Sequence, residues 1–209
     1  MAQVDLSSFS FTLENMHSDL IELRRHLHSE AEISGEEVRT AAILQEFLHT
    51  RNPDLMVNDL AGKGILCVYQ GRLPGPCILL RCDMDAVPVT EDSSREYHSI
   101  NPGIAHKCGH DGHMAILAGV AARLNEDPPV RGSVILLFQP SEETGQGAAA
   151  VLTEPEFQRL SPDMAFALHN LPGFPLGSVI SRRGSFAGAS SGLIVRLQGR
   201  SSHAGEPLK

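Results

Sequence analysis

Three short apolar runs constrain this chain more than any other feature: Cys77 to Leu80, Val134 to Phe138 and Met164 to Leu168. Each reads as a strand; the continuous run Cys77 to Leu80 has the pattern of one covered on both faces, and Val134 to Phe138 reads as a second buried strand. Helical spacing separates them. Ile116, Leu117, Val120 and Leu124 mark the inner face of a helix from about Gly112 to Asn125, and Gly147 to Leu152 reads as a small-residue helix. Strand, helix, strand, helix, strand predicts an α/β fold, with a largely parallel central sheet and helices on both faces.

The flanks fit this frame. Leu13, Met16, Leu20, Leu23 and Leu27 share one face of a helix expected over Thr12 to His28. A second helix is expected from Ser34, whose hydroxyl would cap it while Glu37 completes a capping box, through Val38, Ala41, Ile43 and Leu44 to Phe47 and Leu48. Leu55 to Val57 and Gly64 to Tyr69 read as further strands. Past Pro172 the chain turns rich in Gly, Ser and Pro, with a short Val179-Ile180 run, and Gly192 to Leu197 looks like the opening strand of something new. A domain boundary is expected near residues 184–190.

At 209 residues the chain is long enough for one domain, or one domain and part of a second. Its 17 basic and 25 acidic residues give a formal charge of −8 with no basic run, which argues against nucleic acid or an anionic membrane as partner. No segment has the ~20 apolar residues of a membrane span, and the start has no signal-peptide pattern. A cytoplasmic location is expected, with the four cysteines as thiols; Cys67, Cys77 and Cys82 read as small buried hydrophobes.

Cys108 stands apart, because of where it lies. Ligands of an α/β sheet collect at the carboxyl ends of its strands. Here those ends carry Asp83-Met84-Asp85, Gln139-Pro140-Ser141-Glu142-Glu143 and His169-Asn170, and the segment His106 to His113 enters a helix between the first two. Thiolate, imidazoles and carboxylates converging on one rim suit zinc, manganese, cobalt or nickel, whereas magnesium and calcium avoid a thiolate. Cys108 and His110 flank Gly109, so an extended loop would turn both side chains to one side. Scattered ligands without a C-x-x-C pattern fit a catalytic site better than a structural one. Glu142 and Glu143, adjacent on a loop, can point differently, leaving one to bind metal and the other free as a base.

The segments R-R-H-L-H-S-E-A-E (24–32), L-R-C-D-M-D-A-V-P (80–88), H-K-C-G-H-D-G-H-M-A (106–115), F-Q-P-S-E-E-T-G-Q-G-A (138–148), A-L-H-N-L-P (167–172) and G-R-S-S-H-A-G-E-P (199–207) resemble, in order, the metallo-aminoacylase and carboxypeptidase superfamily. The resemblance is to its amidohydrolase branch, which includes hippurate hydrolases, N-acyl amino acid amidohydrolases and hydrolases of indole-acetyl amino acid conjugates. It implies a site for two divalent ions held by Cys108, His110, Glu143 and His169, with the Cys108 thiolate between them. Glu142 would be the general base that takes a proton from a metal-activated water and passes it to the leaving amine. Asp85 would orient a ligand, with Asp83 competing for that role, and His203 would bind substrate.

By the same resemblance, residues 1–187 form the amino-terminal portion of a zinc-exopeptidase-like catalytic domain. Residues 188–209 would begin a smaller α+β lid or dimerisation domain, through which a homodimer is possible. Two positions depart from the pattern: Ala31 stands where Pro is usual, and Leu208 where many members have a second His. The family's lid continues, and a later segment supplies a further histidine ligand, so a chain ending at Lys209 is expected to hold one ion weakly and hydrolyse poorly. The function implied is hydrolysis of N-acyl amino acids or hippurate-like amides. Alternatives are a carbamoyl-amino-acid hydrolase or dipeptidase on the same scaffold, or a truncated form that binds metal without activity.

Overall fold

A computed structural model describes residues 7–94 and 96–186, together with positions 188, 193, 195, 196, 198, 199 and 205; over residues 7–16 it describes the backbone only. The chain divides into two compact units, Met1–Asn170 and Leu171–Lys209. The first holds every named element. In order these are α1 (Ser7–Ser29), α2 (Val38–His49), β1 (Leu55–Leu60), β2 (Gly64–Gln70), β3 (Leu73–Asp83), α3 (His110–Glu126), β4 (Arg131–Gln139), α4 (Gly147–Thr153), α5 (Pro155–Gln158) and β5 (Met164–Ala167).

The strands form one sheet in the order β1-β2-β4-β3-β5. The sheet is mixed. β4, β3 and β5 run parallel, whereas β2 joins β4 antiparallel and forms an antiparallel hairpin with β1. The parallel part positions the site: Asp83 pairs with Gln139, and Arg81 with Ala167, so three strand ends open on one rim.

Alternation along the strands splits the core into two layers. Ile65, Cys67, Tyr69, Cys82, Leu136 and Phe138 pack beneath Leu23 and Leu27 of α1, Leu44 and Leu48 of α2, and Met114, Leu117 and Ala121 of α3. Leu66, Val68, Leu79, Ile135 and Leu137 face the other way, against Val151 of α4 and Phe157 of α5. Helices on both faces are thus in place. Cys67 and Cys82 are fully buried, Cys77 is half-buried, and all three are free thiols.

Several local expectations need correction. Ser34 does not cap α2, which begins four residues later. Glu32 does, its carboxylate accepting the backbone N–H groups of Arg39 (3.1 Å) and Thr40 (2.9 Å). These are orphan donors of the first turn, and a carboxylate there also meets the positive end of the helix dipole. The inner face of α3 is Met114, Leu117, Ala118 and Ala121; Ile116 points outward. The short helix α5 escaped the periodicity because four residues carry no period. Gly192 to Leu197 and His203 lie largely or wholly outside the described residues, and Val179-Ile180 forms no regular element.

Candidate metal centre

Gly109 decides how the loop enters α3. It is the residue before the helix, with φ +90°, and a Cβ there would stand 2.8 Å from Asn170 Oδ1. A side chain is excluded on both counts. The loop is therefore a left-handed turn rather than an extended segment, and His110 becomes the opening residue of α3. Even so, ligand atoms of Cys108, His110 and Glu143 lie within 4.8 Å of one another.

Glu143 arrives from the end of β4. Ser141, at φ +54°, turns the chain sharply there, and its N–H donates to the buried Glu37 carboxylate at 2.7 Å. Gly147 N–H closes the turn on the Ser141 carbonyl. A Cβ on Gly147 would overlap the Pro140 carbonyl, so the small residue is needed. Asp85 ties this loop to the rim, its Oδ2 accepting Glu143 N–H (2.9 Å) and the Ser34 hydroxyl (2.6 Å). Burial raises the Asp85 pKa, but hydrogen bonds from His110, Ser34 and the backbone of Glu143 and Glu142 outweigh it and hold the carboxyl at about 2.

His110 is almost fully buried. Its Nδ1 lies 2.7 Å from the Asp85 carbonyl, which can only accept, so Nδ1 carries the proton. Nε2 is buried without a hydrogen-bond partner among the described residues. An orphaned imidazole lone pair turned toward a thiol and a carboxylate is a ligand position. In the metal-free chain burial lowers the His110 pKa, yet the Asp85 hydrogen bond and the Asp83 charge leave it above the usual value. Cys108 is pushed up to about 11, foremost because Glu143 accepts its thiol hydrogen, then by burial and by the charges of Glu143, Glu142 and Asp83. Excess negative charge does this, and a dication in the same place reverses it.

His169 joins a second grouping, with His110 and His113. Its Nδ1 faces the Asn170 carbonyl at 2.8 Å, so again Nε2 is left as the available donor atom. His113, not anticipated from the sequence, sits one turn along α3 from His110. Its Nδ1 contacts Asp83 Oδ1 (2.8 Å), and its Nε2 lies 2.8 Å from the Asn170 side-chain oxygen and 3.1 Å from the Asn170 backbone nitrogen. With both nitrogens engaged, His113 holds Asn170, and so His169, to the rim. Asp83 is kept ionised: burial raises its pKa, but the His113 hydrogen bond and the charges of His110 and Arg81 take it below the usual range. Glu142 forms a third grouping with Asp83 and His110. Thus Cys108, His110, Glu143, His169 and Glu142 come together around His110. His203, expected to touch substrate, lies outside the described residues.

The donor set fits a divalent cation. It offers a thiol, two imidazole nitrogens whose tautomers are fixed by backbone carbonyls, and a carboxylate, in an anionic pocket where the buried His110 Nε2 is unpartnered.

Residues 79–187 match peptidase family M20/M25/M40. The chain is 36% identical over 192 residues to an N-acetyldiaminopimelate deacetylase of Oceanobacillus iheyensis, covering 92% of this chain and 52% of that protein. It is 36% identical over 196 residues to an N-acetyl-L-cysteine deacetylase of Bacillus subtilis, covering 93% of this chain and 46% of that protein. The chain therefore spans about half the length of these relatives. Among solved structures, the Bacillus subtilis YXEP protein, described as a dinuclear metal binding peptidase from the M20 family, superposes with a TM-score of 0.71 at 34% identity, over 78% of this chain and 45% of that one.

Proposed function

The chain belongs to peptidase family M20/M25/M40, and from that premise we propose that it carries the metal-binding portion of an amidohydrolase acting on N-acyl amino acids. The carrying observation is the buried, unpartnered His110 Nε2 beside Cys108 and Glu143, with Glu142 on the same rim. Cys108, His110, Glu143 and His169 would hold the metal. Two ions of manganese, zinc, cobalt or nickel suit these donors, and the description of the YXEP protein as dinuclear supports that count. When bound, such ions supply the Lewis acidity that activates water and polarises an amide carbonyl.

The chain's own residues account for the rest. The Glu142 carboxylate takes a proton from the attacking water and returns it to the leaving nitrogen. Asp85 fixes the His110 tautomer through its carbonyl and the Glu143 loop through its carboxylate. The names of the relatives favour small N-acyl groups, acetyl above all; hippurate-like benzoyl amides are the wider class to test. Residues 1–187 would form the catalytic portion and 188–209 the start of a lid, with His203 contacting substrate and a homodimer forming through that lid. Among the described residues no helix is long and apolar enough to cross a membrane.

The test is hydrolysis of N-acetyl and N-benzoyl amino acids with added manganese, zinc, cobalt or nickel, measured beside metal content. Turnover abolished by a chelator and by Glu142→Gln, with metal retained in that variant, is the expected result. Turnover that survives either treatment contradicts the mechanism.

A further inference from the structure

Outside the donor set, one side chain is tied to both residues that flank the tripeptide Cys108-Gly109-His110, to Asp111 directly and to Lys107 through Glu91. His28, near the end of α1, has Nδ1 2.9 Å from Asp111 Oδ2 and Nε2 2.9 Å from Glu91 Oε2. Asp111 follows His110 directly. Glu91, through its other oxygen, accepts from Lys107 Nζ at 2.6 Å, and Lys107 precedes Cys108 directly. Arg24, one turn earlier on α1, adds a bond to the same Asp111 oxygen at 3.1 Å. Ser99 N–H donates to Glu91 at 3.0 Å and holds that carboxylate in place. His28 is buried, as are Asp111 and the Glu91 side chain. Both His28 nitrogens meet carboxylate oxygens, which only accept, so the ring is an imidazolium donating twice.

We propose that His28 is a positioning residue for the metal centre: it clamps the loop from both sides, through Glu91 and Lys107 before Cys108 and through Asp111 after His110. This rests on the metal-site reading above. The Ala105–Val87 backbone bridge anchors the loop further upstream, but between Lys107 and α3 the described residues offer the loop few other side-chain ties. Without His28, Asp111 keeps Arg24 and Glu91 keeps Lys107, but the link between the two carboxylates is lost beside a tripeptide whose two side chains must hold a fixed spacing. Outer partners that fix ligands commonly change metal affinity roughly 10–100-fold when removed.

The experiment is calorimetric titration of the full chain with zinc, for the wild type, His28→Ala and Ile43→Val, with circular dichroism on each metal-free protein. The core variant reports what a general loss of stability does to affinity. We expect His28→Ala to keep its secondary structure and lose zinc affinity about 10–100-fold, with Ile43→Val unchanged in affinity. Because His28 is buried, Glu91→Gln, in an irregular loop, is titrated in parallel; it weakens both clamp contacts of Glu91 and is expected to lose affinity to a smaller degree. Zinc binding by the wild type that both His28→Ala and Glu91→Gln match overturns the clamp alone. Failure of the wild type itself to bind overturns the metal-site reading and the clamp with it.

Discussion

Two polar clusters share the loop from His106 to His113, and their charge balance differs. Around His28, three cations (Arg24, His28 and Lys107) meet two carboxylates, Glu91 and Asp111, at hydrogen-bond distance. Around His110, four carboxylates and a thiol crowd together, and among the described residues Arg81, paired to Asp83 at 3.1 Å, is the permanent cation within ion-pair reach. One cluster is neutralised by its own side chains. The other is left anionic, with a buried lone pair open. Asp83 and Asp85 are buried there while Glu142 and Glu143 stay open to solvent, and uncompensated charge is costly where it is buried, so the second cluster is the place for a cation. Both clusters leave buried polar atoms unanswered among the described residues, Asp111 Oδ1 and both His106 nitrogens in the first and His110 Nε2 and Asp85 Oδ1 in the second, so it is the charge balance that separates support from function.

The largest effect that would sharpen this contrast is catalytic. Glu142→Gln should bind metal like the wild type and lose about 10²–10⁴ in turnover, the usual contribution of a positioned base; steady-state rates beside metal content decide it. Next comes Cys108→Ser, for which metal affinity should fall by more than the roughly 10–100-fold typical of losing an outer partner. Cys108 is only half-buried, so unfolding of its metal-free form should shift by about 0.5 kcal/mol or less. A large loss of stability there would break the contrast, since it would make Cys108 a support. Asp85→Asn, which leaves the carbonyl contact to His110 but weakens the hold on the Glu143 loop, should cost affinity about 10–100-fold.

The smallest expected effect is on acid stability, and it belongs to both clusters. Asp85, Glu91 and Asp111 all sit at about 2 in the folded chain: burial opposes this, and hydrogen bonds from His110 and Ser34, from Lys107, Ser99 and His28, and from His28, respectively, overcome it. Their folded values lie below the unfolded ones, so the stability they confer is present above about pH 4.5 and is lost as pH falls toward 2. For the fully buried Asp85 and Asp111 each shift corresponds to roughly 2 kcal/mol. His28 behaves oppositely. The Asp111 hydrogen bond, ahead of opposing burial and aided by Glu91, raises its pKa, so its contribution is present below 6.5 and is lost as pH rises through the elevated value. Denaturant unfolding of the metal-free chain should therefore weaken below pH 4.5; a flat profile from 4.5 to 2 contradicts the geometry.

Much of this was legible in the sequence, for physical reasons that differ by element. β4 is buried on both faces, so its apolar run stood out, and the strand ends followed from it. The sheet's handedness of pairing did not: β2 reads the same whether it joins β4 parallel or antiparallel, because both bury it. The α2 cap was misassigned because a local pattern, Ser34 with Glu37, competed with a carboxylate arriving from Glu32, and no local rule ranks them. Each donor of the candidate centre lay in a motif, and so did His113 and His28, but neither of these two was given a role. His113 carried a signal, its position one turn from His110. His28 lies in the 24–32 motif, but nothing local points to its partners, which lie 63 and 83 residues away in the chain.

The most direct test of the account is a cobalt(II) titration of the metal-free chain followed by visible and near-ultraviolet absorption. Thiolate ligation gives a sulfur-to-cobalt charge-transfer band, so a saturable band that disappears in Cys108→Ser while weaker cobalt binding persists through His110 and Glu143 is the predicted result. Cobalt that does not bind, or that binds with the same spectrum in wild type and Cys108→Ser, would contradict the claim that Cys108, His110 and Glu143 form one metal centre.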